Sequence, residues 1–254
     1  MKCHAAMMTL LLFVIGCGPS QDESAATTSF LDGKWSATIQ NAVAWTASDA
    51  TNPVPHALLN VAYNALNEHG KIKVEYELAY GSSENRSKVK EWAAALVASH
   101  PDNPSALVLK GLALEAVDDL PGAIDAYRKA MAVDPSFRLS FFLLGNLYLT
   151  NRDADKAIAT YSRMLAANPN DADAHTSIAM AYLTKQDMAH VLSHLKKATE
   201  SDPSNLTAHY NLASAYLQTG ATEKGIETLR KIVALDPSGD IGRDARAKLA
   251  QLGK

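Results

Sequence analysis

The chain has 254 residues, of which 47% are hydrophobic and 20% are charged, and its formal net charge is -3. This hydrophobic content is enough for a core and excludes a disordered polymer. No cluster of Lys and Arg forms a basic stripe, so a nucleic-acid partner is not expected. The two cysteines, Cys3 and Cys17, both lie near the N-terminus, which excludes a disulfide framework or a cysteine zinc site in the body.

Residues 1–16 have the pattern of a signal peptide. Lys2 precedes an apolar run at residues 5–15, which is only 11 residues long. A helix needs roughly 20 apolar residues to cross a bilayer, so a permanent transmembrane anchor is disfavoured.

The run ends in Val14-Ile15-Gly16-Cys17, which resembles the bacterial lipobox. The resemblance implies cleavage before Cys17 and lipidation of that cysteine, with an ordinary secretory signal or a chance cysteine as alternatives. The polar residues 17–29 are expected to form a flexible tether. Gly18 resembles an outer-membrane sorting signal. We therefore expect a lipid-anchored protein of the bacterial cell envelope that faces the periplasm, at the outer rather than the inner membrane.

Residues 30–101 are predicted to form a divergent helical region of degenerate hairpins. Trp35 and Ile39 belong to one helical stripe, and Leu58 and Leu66 belong to another. Residues 71–80 alternate between apolar and charged side chains, which is typical of a strand. A single strand beside helices has no pairing partner, so we predict a helix there.

A 34-residue period runs through the rest of the chain. An Asp-Pro or Asn-Pro pair closes each row and ends its second helix. Small residues form one column, where two helices cross closely. Larger residues form other columns on the same helical faces. The closing pairs are Asp134-Pro135, Asn168-Pro169, Asp202-Pro203 and Asp236-Pro237, the small column is Gly111, Gly145, Ala179 and Ala213, and one large column is Tyr127, Tyr161, Leu195 and Leu229.

These columns resemble the tetratricopeptide repeat (TPR) family. The resemblance implies an all-α fold in which antiparallel helix pairs stack into a right-handed superhelix with a concave side. Residues 102–237 hold four repeats, and residues 240–254 are predicted to form a capping helix. The repeats are approximately 104–137, 138–171, 172–205 and 206–239.

In the family, the first helix of each pair lines a binding groove. The lining here is mostly apolar, so a helix or an extended apolar peptide is the expected partner. The carboxylate clamp of chaperone-binding members is not expected, because Phe142 stands where the clamp needs lysine. The N-terminal part could instead fill the groove, or the twist could bury its lining. The predicted lining is Val108, Leu112, Phe142, Asn146, Leu149, Thr176, Met180, Tyr210, Ser214 and Leu217.

Two of the histidines have a spacing that would allow them to share a metal ion. His190 and His194 are four residues apart on one helix, but no third ligand accompanies them, so we expect solvated side chains. His175 and His209 occupy packing positions and are expected to be partly buried. No metal site is predicted.

The sequence favours a non-catalytic scaffold that binds a protein or peptide in envelope assembly, secretion or pilus biogenesis. It contains no phosphate loop or nucleophile elbow, so no enzyme activity, cofactor or small-molecule substrate is expected. An accessory subunit or enzyme with a site in residues 30–101 is the alternative. A cytoplasmic adaptor, whose N-terminus only mimics a signal, is a third possibility.

Overall fold

The structure, a computed structural model, describes residues 19–253, and within that range it contains fourteen α-helices and no strand. The predicted all-α fold is confirmed. The first seven helices are α1 (Gln21–Leu31), α2 (Trp35–Ser48), α3 (Pro53–Ala65), α4 (His69–Tyr80), α5 (Ser83–Ser99), α6 (Pro104–Glu115) and α7 (Leu120–Val133). The others are α8 (Arg138–Thr150), α9 (Ala154–Ala167), α10 (Ala172–Thr184), α11 (Met188–Ser201), α12 (Leu206–Gln218), α13 (Thr222–Leu235) and α14 (Asp240–Gln251).

The chain divides into two compact units, Met1–Ser140 (unit 1) and Phe141–Lys254 (unit 2), with the boundary inside α8. The predicted signal peptide 1–16 and Cys17 lie outside the described residues. Among the helices of residues 19–253, none is long and apolar enough to cross a membrane.

Each of the four predicted rows contains two helices joined by a turn of three or four residues. A turn this short makes the two helices of a row antiparallel. The pairs α6/α7, α10/α11 and α12/α13 pack directly against each other. The Asp-Pro and Asn-Pro pairs end the second helices as predicted, because Asp134, Asn168 and Asp202 adopt extended C-cap conformations just before the prolines.

Side-chain caps fix where most of these helices begin. In each case an Asp or Asn oxygen accepts a hydrogen bond from a free backbone N–H in the first turn. The capping residues of the repeat region are Asn103, Asp119, Asp153, Asp171, Asp187 and Asn205.

The turns within the rows share one backbone feature. Asp118, Arg152, Gln186 and Gly220 have φ values of 62, 60, 58 and 75°, and they follow one another at 34-residue intervals. This left-handed conformation disfavours most residues other than glycine, Asn and Asp, and only the last row uses glycine. The 34-residue period is thus present in the backbone as well as in the side chains.

The small-residue column allows the two helices of a row to approach closely. A Cβ atom on Gly111 would lie 2.3 Å from Cε1 of Tyr127, and one on Gly145 would lie 2.3 Å from Cε1 of Tyr161. The rings of Tyr127 and Tyr161 therefore occupy the space that a side chain would need.

The N-terminal segment differs from its prediction. The flexible tether predicted at 17–29 is wrong for residues 21–29, which belong to α1. The oxygen of Ser20 caps this helix, and Ala26 and Phe30, one turn apart, are fully buried. Their apolar stripe packs α1 against α2 in unit 1. A segment of mostly polar residues therefore still forms an ordered helix.

Residues 71–80 form part of α4, so the helix is the correct choice over the strand. On a helix, strict alternation cannot place all the apolar side chains on one face. Val74 and Leu78 consequently remain 58% and 46% exposed, whereas Tyr80 is buried.

At the other end of the chain, α14 covers the last repeat. Ala245 and Leu249 join the core cluster of α13, and Ile241 and Leu252 pack at its edge.

Candidate functional site

The predicted binding residues of unit 2 lie on the first helices of its rows, α8, α10 and α12. They are partly exposed, and Met180 is the most exposed at 38%. Their spacing of three or four residues places each set on one face of its helix, and α10 contacts α12. We call these residues the first-helix face of unit 2: Phe142, Asn146, Leu149, Thr176, Met180, Tyr210, Ser214 and Leu217.

The polar groups of this face are already partly bonded. The Tyr161 hydroxyl donates to Oδ1 of Asn146 at 2.6 Å, which leaves the Asn146 amide N–H groups as donors. The hydroxyls of Thr176 and Ser214 donate to backbone oxygens of their own helices. The face therefore offers donors at Asn146 and acceptor oxygens at Thr176 and Ser214, within an apolar surround.

The predicted lining residues of unit 1 have a different environment. Val108 is fully buried and Leu112 is 7% exposed, so neither offers surface to a partner in this structure. The position of a residue within the 34-residue repeat predicts which face of its helix it lies on. It does not predict whether another part of the chain packs on that face.

The predicted set omits one residue of unit 1 that lies in the same series. Glu115, at the end of α6, is in the column of Leu149, Leu183 and Leu217. It is partly exposed and accepts a hydrogen bond from the hydroxyl of Tyr127. The sequence feature that distinguishes this residue is its charge, because the other three residues of the column are leucines.

The histidines of unit 2 form a pair that the sequence did not predict. Nε2 of His175 lies 3.1 Å from the Pro169 carbonyl oxygen and must donate to it, so Nδ1 of His175 carries the lone pair. Nδ1 of His194 lies 3.0 Å from that nitrogen and donates to it. Burial lowers the pKa of His175, and burial with the charges of His175 and Lys197 lowers the pKa of His194 to about 4. Both rings are neutral at pH 7.

The other two histidines have different surroundings. His190 is exposed and bonds Asp187 at 2.7 Å, as a solvated residue would, whereas His194 is only partly exposed, which corrects the prediction for it. His209 repeats the backbone bond of His175, at 3.0 Å from the Pro203 oxygen. Nδ1 of His209 is nevertheless buried and has no hydrogen-bond partner among residues 19–253. The residue 34 places beyond His194 is Thr228, which has no ring to fill that role.

Within residues 19–253, no group of three or more His, Cys, Asp or Glu side chains is arranged to hold a metal ion. The His175 and His194 nitrogens are fully used by the hydrogen bonds just described, except for Nε2 of His194. Their arrangement stabilises the packing of α10 against α11.

Family models match the region that contains these helix pairs. Residues 89–136 and 114–181 match two models described as tetratricopeptide repeat, and residues 150–232 match a model described as anaphase-promoting complex, cyclosome, subunit 3. The two tetratricopeptide-repeat models together span residues 89–181. No match was found among curated proteins.

Solved TPR-type structures have a similar fold. A MamA RS-1 ArsTM double mutant is 19% identical, with a TM-score of 0.53 over 70% of this chain and 97% of that one. MamA 41-end from Desulfovibrio magneticus RS-1 is 20% identical, with a TM-score of 0.50 over 73% and 97%. Human IFIT1, as a dimer with m7Gppp-AAAA, is 19% identical, with a TM-score of 0.56 over 80% of this chain and 46% of that one. At these identities the likeness concerns the fold alone.

Proposed function

We propose that the protein is a non-catalytic scaffold that binds a protein or peptide partner on the first-helix face of its TPR units. The observation that carries this proposal is the partly exposed apolar set on α8, α10 and α12, with hydrogen-bonding groups among them. Exposed apolar surface of this kind is typical of interaction sites. Backbone groups of an extended or helical peptide suit the donors at Asn146 and the acceptor at Ser214.

We further propose that Cys17 carries a lipid and that this scaffold faces the periplasm of a bacterial envelope, at the outer membrane. The support is the lipobox-like Val14-Ile15-Gly16-Cys17 after a short apolar run. Two or more acyl chains give stable attachment, whereas one chain binds a membrane only marginally. Such a scaffold would hold its partner near the membrane during envelope assembly, secretion or pilus biogenesis.

The binding face is tested by site-specific photocrosslinking in cells. A photoreactive residue at Met180 is expected to give a discrete crosslinked protein, which disappears when Phe142→Glu or Tyr210→Glu is added. The control places the photoreactive residue at Leu235, which is 45% exposed on α13 and lies off the face. The same product from Leu235, or its survival in both Glu variants with unchanged helical circular dichroism, would place the contact elsewhere.

The anchor is tested separately by labelling cells with radioactive palmitate. We expect label in the wild type and none in Cys17→Ser. Label in neither protein would remove the lipid anchor from the proposal without affecting the binding face.

A further inference from the structure

We propose that the outer face of α2 lies against a lipid bilayer, so that unit 1 rests on the membrane to which Cys17 is anchored. This inference rests on the proposed lipid anchor and adds the part of the protein that contacts the membrane. The partner is a surface of zwitterionic lipid headgroups. The outer face of α2 consists of the exposed residues Ser36, Gln40, Val43, Ala44 and Ala47.

The first observation is the short connection between the anchor and the folded chain. Helix α1 begins at Gln21 and is capped by Ser20, so only three residues separate Cys17 from the helix. An extended chain advances about 3.3–3.6 Å per residue, so the first residue of α1 lies within about 14 Å of Cys17. Helix α1 is fixed to unit 1, because Ala26 and Phe30 are fully buried. A lipid on Cys17 therefore holds unit 1 itself close to the membrane.

The second observation is the position of the C-terminal half of α2. Residues 32–34 join α1 to α2, and a turn this short makes the two helices antiparallel. Nδ2 of Asn41 donates to the Ala25 oxygen at 3.2 Å and to Oγ of Ser29 at 3.2 Å. The part of α2 beyond Asn41 therefore runs back beside the first turn of α1. Residues 43–47 belong to this part, so they lie beside the end of α1 that the anchor holds.

The third observation is the chemistry of the outer face. Residues 35–48 contain no Lys, Arg, Asp or Glu, although 20% of the chain is charged. The helical spacing of three and four residues places Gln40, Val43 and Ala47 on one side of α2, and Val43 is 49% exposed. Exposed faces of surface helices in water normally carry charged side chains. A face without charge enters the headgroup region without the penalty of burying an ion.

The tether decides which partner covers this face. Val43 is the one large apolar side chain of the outer face, so the face is too small to hold a free protein on a membrane. The anchor makes the contact intramolecular and gives it a high effective concentration, which favours the bilayer over a soluble protein. Asp22 and Glu23 lie in the first turn of α1, and their charge favours zwitterionic over anionic headgroups.

The test uses the chain 17–254, in which Cys17 is the only cysteine. Coupling this cysteine to a maleimide lipid in phosphatidylcholine vesicles reproduces the geometry of the anchor without cellular lipidation. A polarity-sensitive fluorescent amino acid replaces Ala47, and nitroxide-labelled lipids act as quenchers. We expect the emission to shift to shorter wavelengths on coupling. Interfacial helices lie about 5–10 Å deep, so a nitroxide near the headgroup should quench more strongly than one at the end of an acyl chain.

Two matched pairs of positions make the comparison specific. The same fluorescent residue at Ala132, an exposed alanine of α7, should show neither the shift nor the quenching. Val43→Glu should abolish both signals at Ala47, because the carboxylate resists transfer into the headgroup region. Val133→Glu, at an exposed valine of α7, adds the same charge off the outer face and should leave both signals unchanged.

Several outcomes would overturn the inference. They are an unquenched probe at Ala47, equal quenching at Ala47 and Ala132, and unchanged quenching in Val43→Glu. The palmitate experiment separates this inference from the anchor. If the wild type takes up palmitate and the probe at Ala47 stays unquenched, the anchor stands and the docking face is wrong. If the wild type takes up no palmitate, the anchor and the docking in cells are both wrong.

Discussion

The pairing of His175 with His194 shows how two repeats of one pattern differ by a single side chain. His175 and His209 make the same bond to a proline carbonyl, one row apart. Only His175 has a second ring to bond its Nδ1, since Thr228 replaces that ring in the next row. Protonation of Nδ1 of His175 removes the acceptor of this bond, so the pair is sensitive to acid.

We predict that acid destabilises unit 2 partly through His194. Its pKa in the folded state, about 4, is below the ordinary value for an unfolded chain, so protonation favours unfolding. The stability due to this neutral ring is complete above pH 6.5 and is lost as pH falls from about 6.5 towards 4. Urea denaturation should show a shallower loss over this range in His194→Gln than in the wild type. The difference should stay below about 1.4 kcal/mol per pH unit, because solvent reaches the ring.

His100→Gln is the control for this measurement. It removes an exposed histidine of unit 1 and leaves the His175–His194 pair and its neighbours unchanged. Identical pH profiles for the wild type and His194→Gln would show that the His175–His194 bond contributes nothing to acid sensitivity.

The glycines of the small-residue column give a second prediction at this scale. A Cβ on Gly145 would meet the Tyr161 ring at 2.3 Å, which the helix spacing cannot accommodate. Gly145→Ala should lower the free energy of unfolding by about 1–3 kcal/mol, despite the better helix propensity of alanine. Gly70→Ala is the contrast, because no atom lies within 4 Å of its Cβ position in α4. That change should stabilise by about 0.5–1 kcal/mol in the same denaturation assay, and equal effects would refute the packing explanation.

Among the helices, α1 shows most clearly what a sequence pattern leaves out. Its residues are mainly polar and small, so composition indicated a tether. The helix is stabilised by burial of Ala26 and Phe30 and by the Ser20 cap, and Nδ2 of Asn41 donates to the Ala25 oxygen at 3.2 Å. Short helices gain most of their stability from tertiary packing, which a local pattern does not report.

We predict that α1 is an integral part of unit 1. Phe30→Ala should lower the free energy of unfolding by about 3–5 kcal/mol, because a fully buried ring is removed. Thr28→Ala, on the exposed side of α1, should change it by less than about 0.5 kcal/mol. Hydrogen exchange gives an independent measure, and unprotected amides throughout residues 21–31 of the wild type would restore the tether interpretation.

The repeat helices were predictable because several kinds of residue recur with the same 34-residue period, and each column supports the same helix boundaries. Prolines, small residues and aromatics return every 34 positions, so an error in one column leaves the others intact. The binding residues lacked this redundancy. The column placed Val108 on the correct helix, but only the fold shows that it is buried. Glu115 is acidic in a column that is otherwise leucine, and the histidine pair depends on a distance between two helices, so neither follows from the apolar pattern.

At the scale of the molecule, the repeats require a cover at the end of the stack. In unit 2, α14 places Ala245 and Leu249 against the cluster that includes Ile226, Leu229 and Ile232. Without this helix, those side chains of α13 would face water. The last helix is therefore a structural part of the unit, although it lies outside the repeat.

We predict that a chain ending at Ser238 loses stability and exposes apolar surface. Its unfolding temperature should fall by several degrees, on the order of 4–8 °C for each 1 kcal/mol lost in a domain of this size. Binding of a hydrophobic dye should rise in parallel. Lys248→Ala in the full chain, at an exposed position of α14, should leave both measurements unchanged. Unaltered melting of the truncated chain would mean that α13 ends the unit on its own.

The left-handed bends at Asp118, Arg152 and Gln186 have a practical consequence for engineering. Arg152 and Gln186 hold a side chain where the chirality of the amino acid opposes it, at a penalty of about 1–2 kcal/mol, while Gly220 avoids that penalty in the last row. Asp118 tolerates the conformation better than these two residues. Glycine at Arg152 or Gln186 therefore offers a route to a more heat-stable chain, because the relief of strain exceeds the entropic cost of glycine, about 0.5–1 kcal/mol.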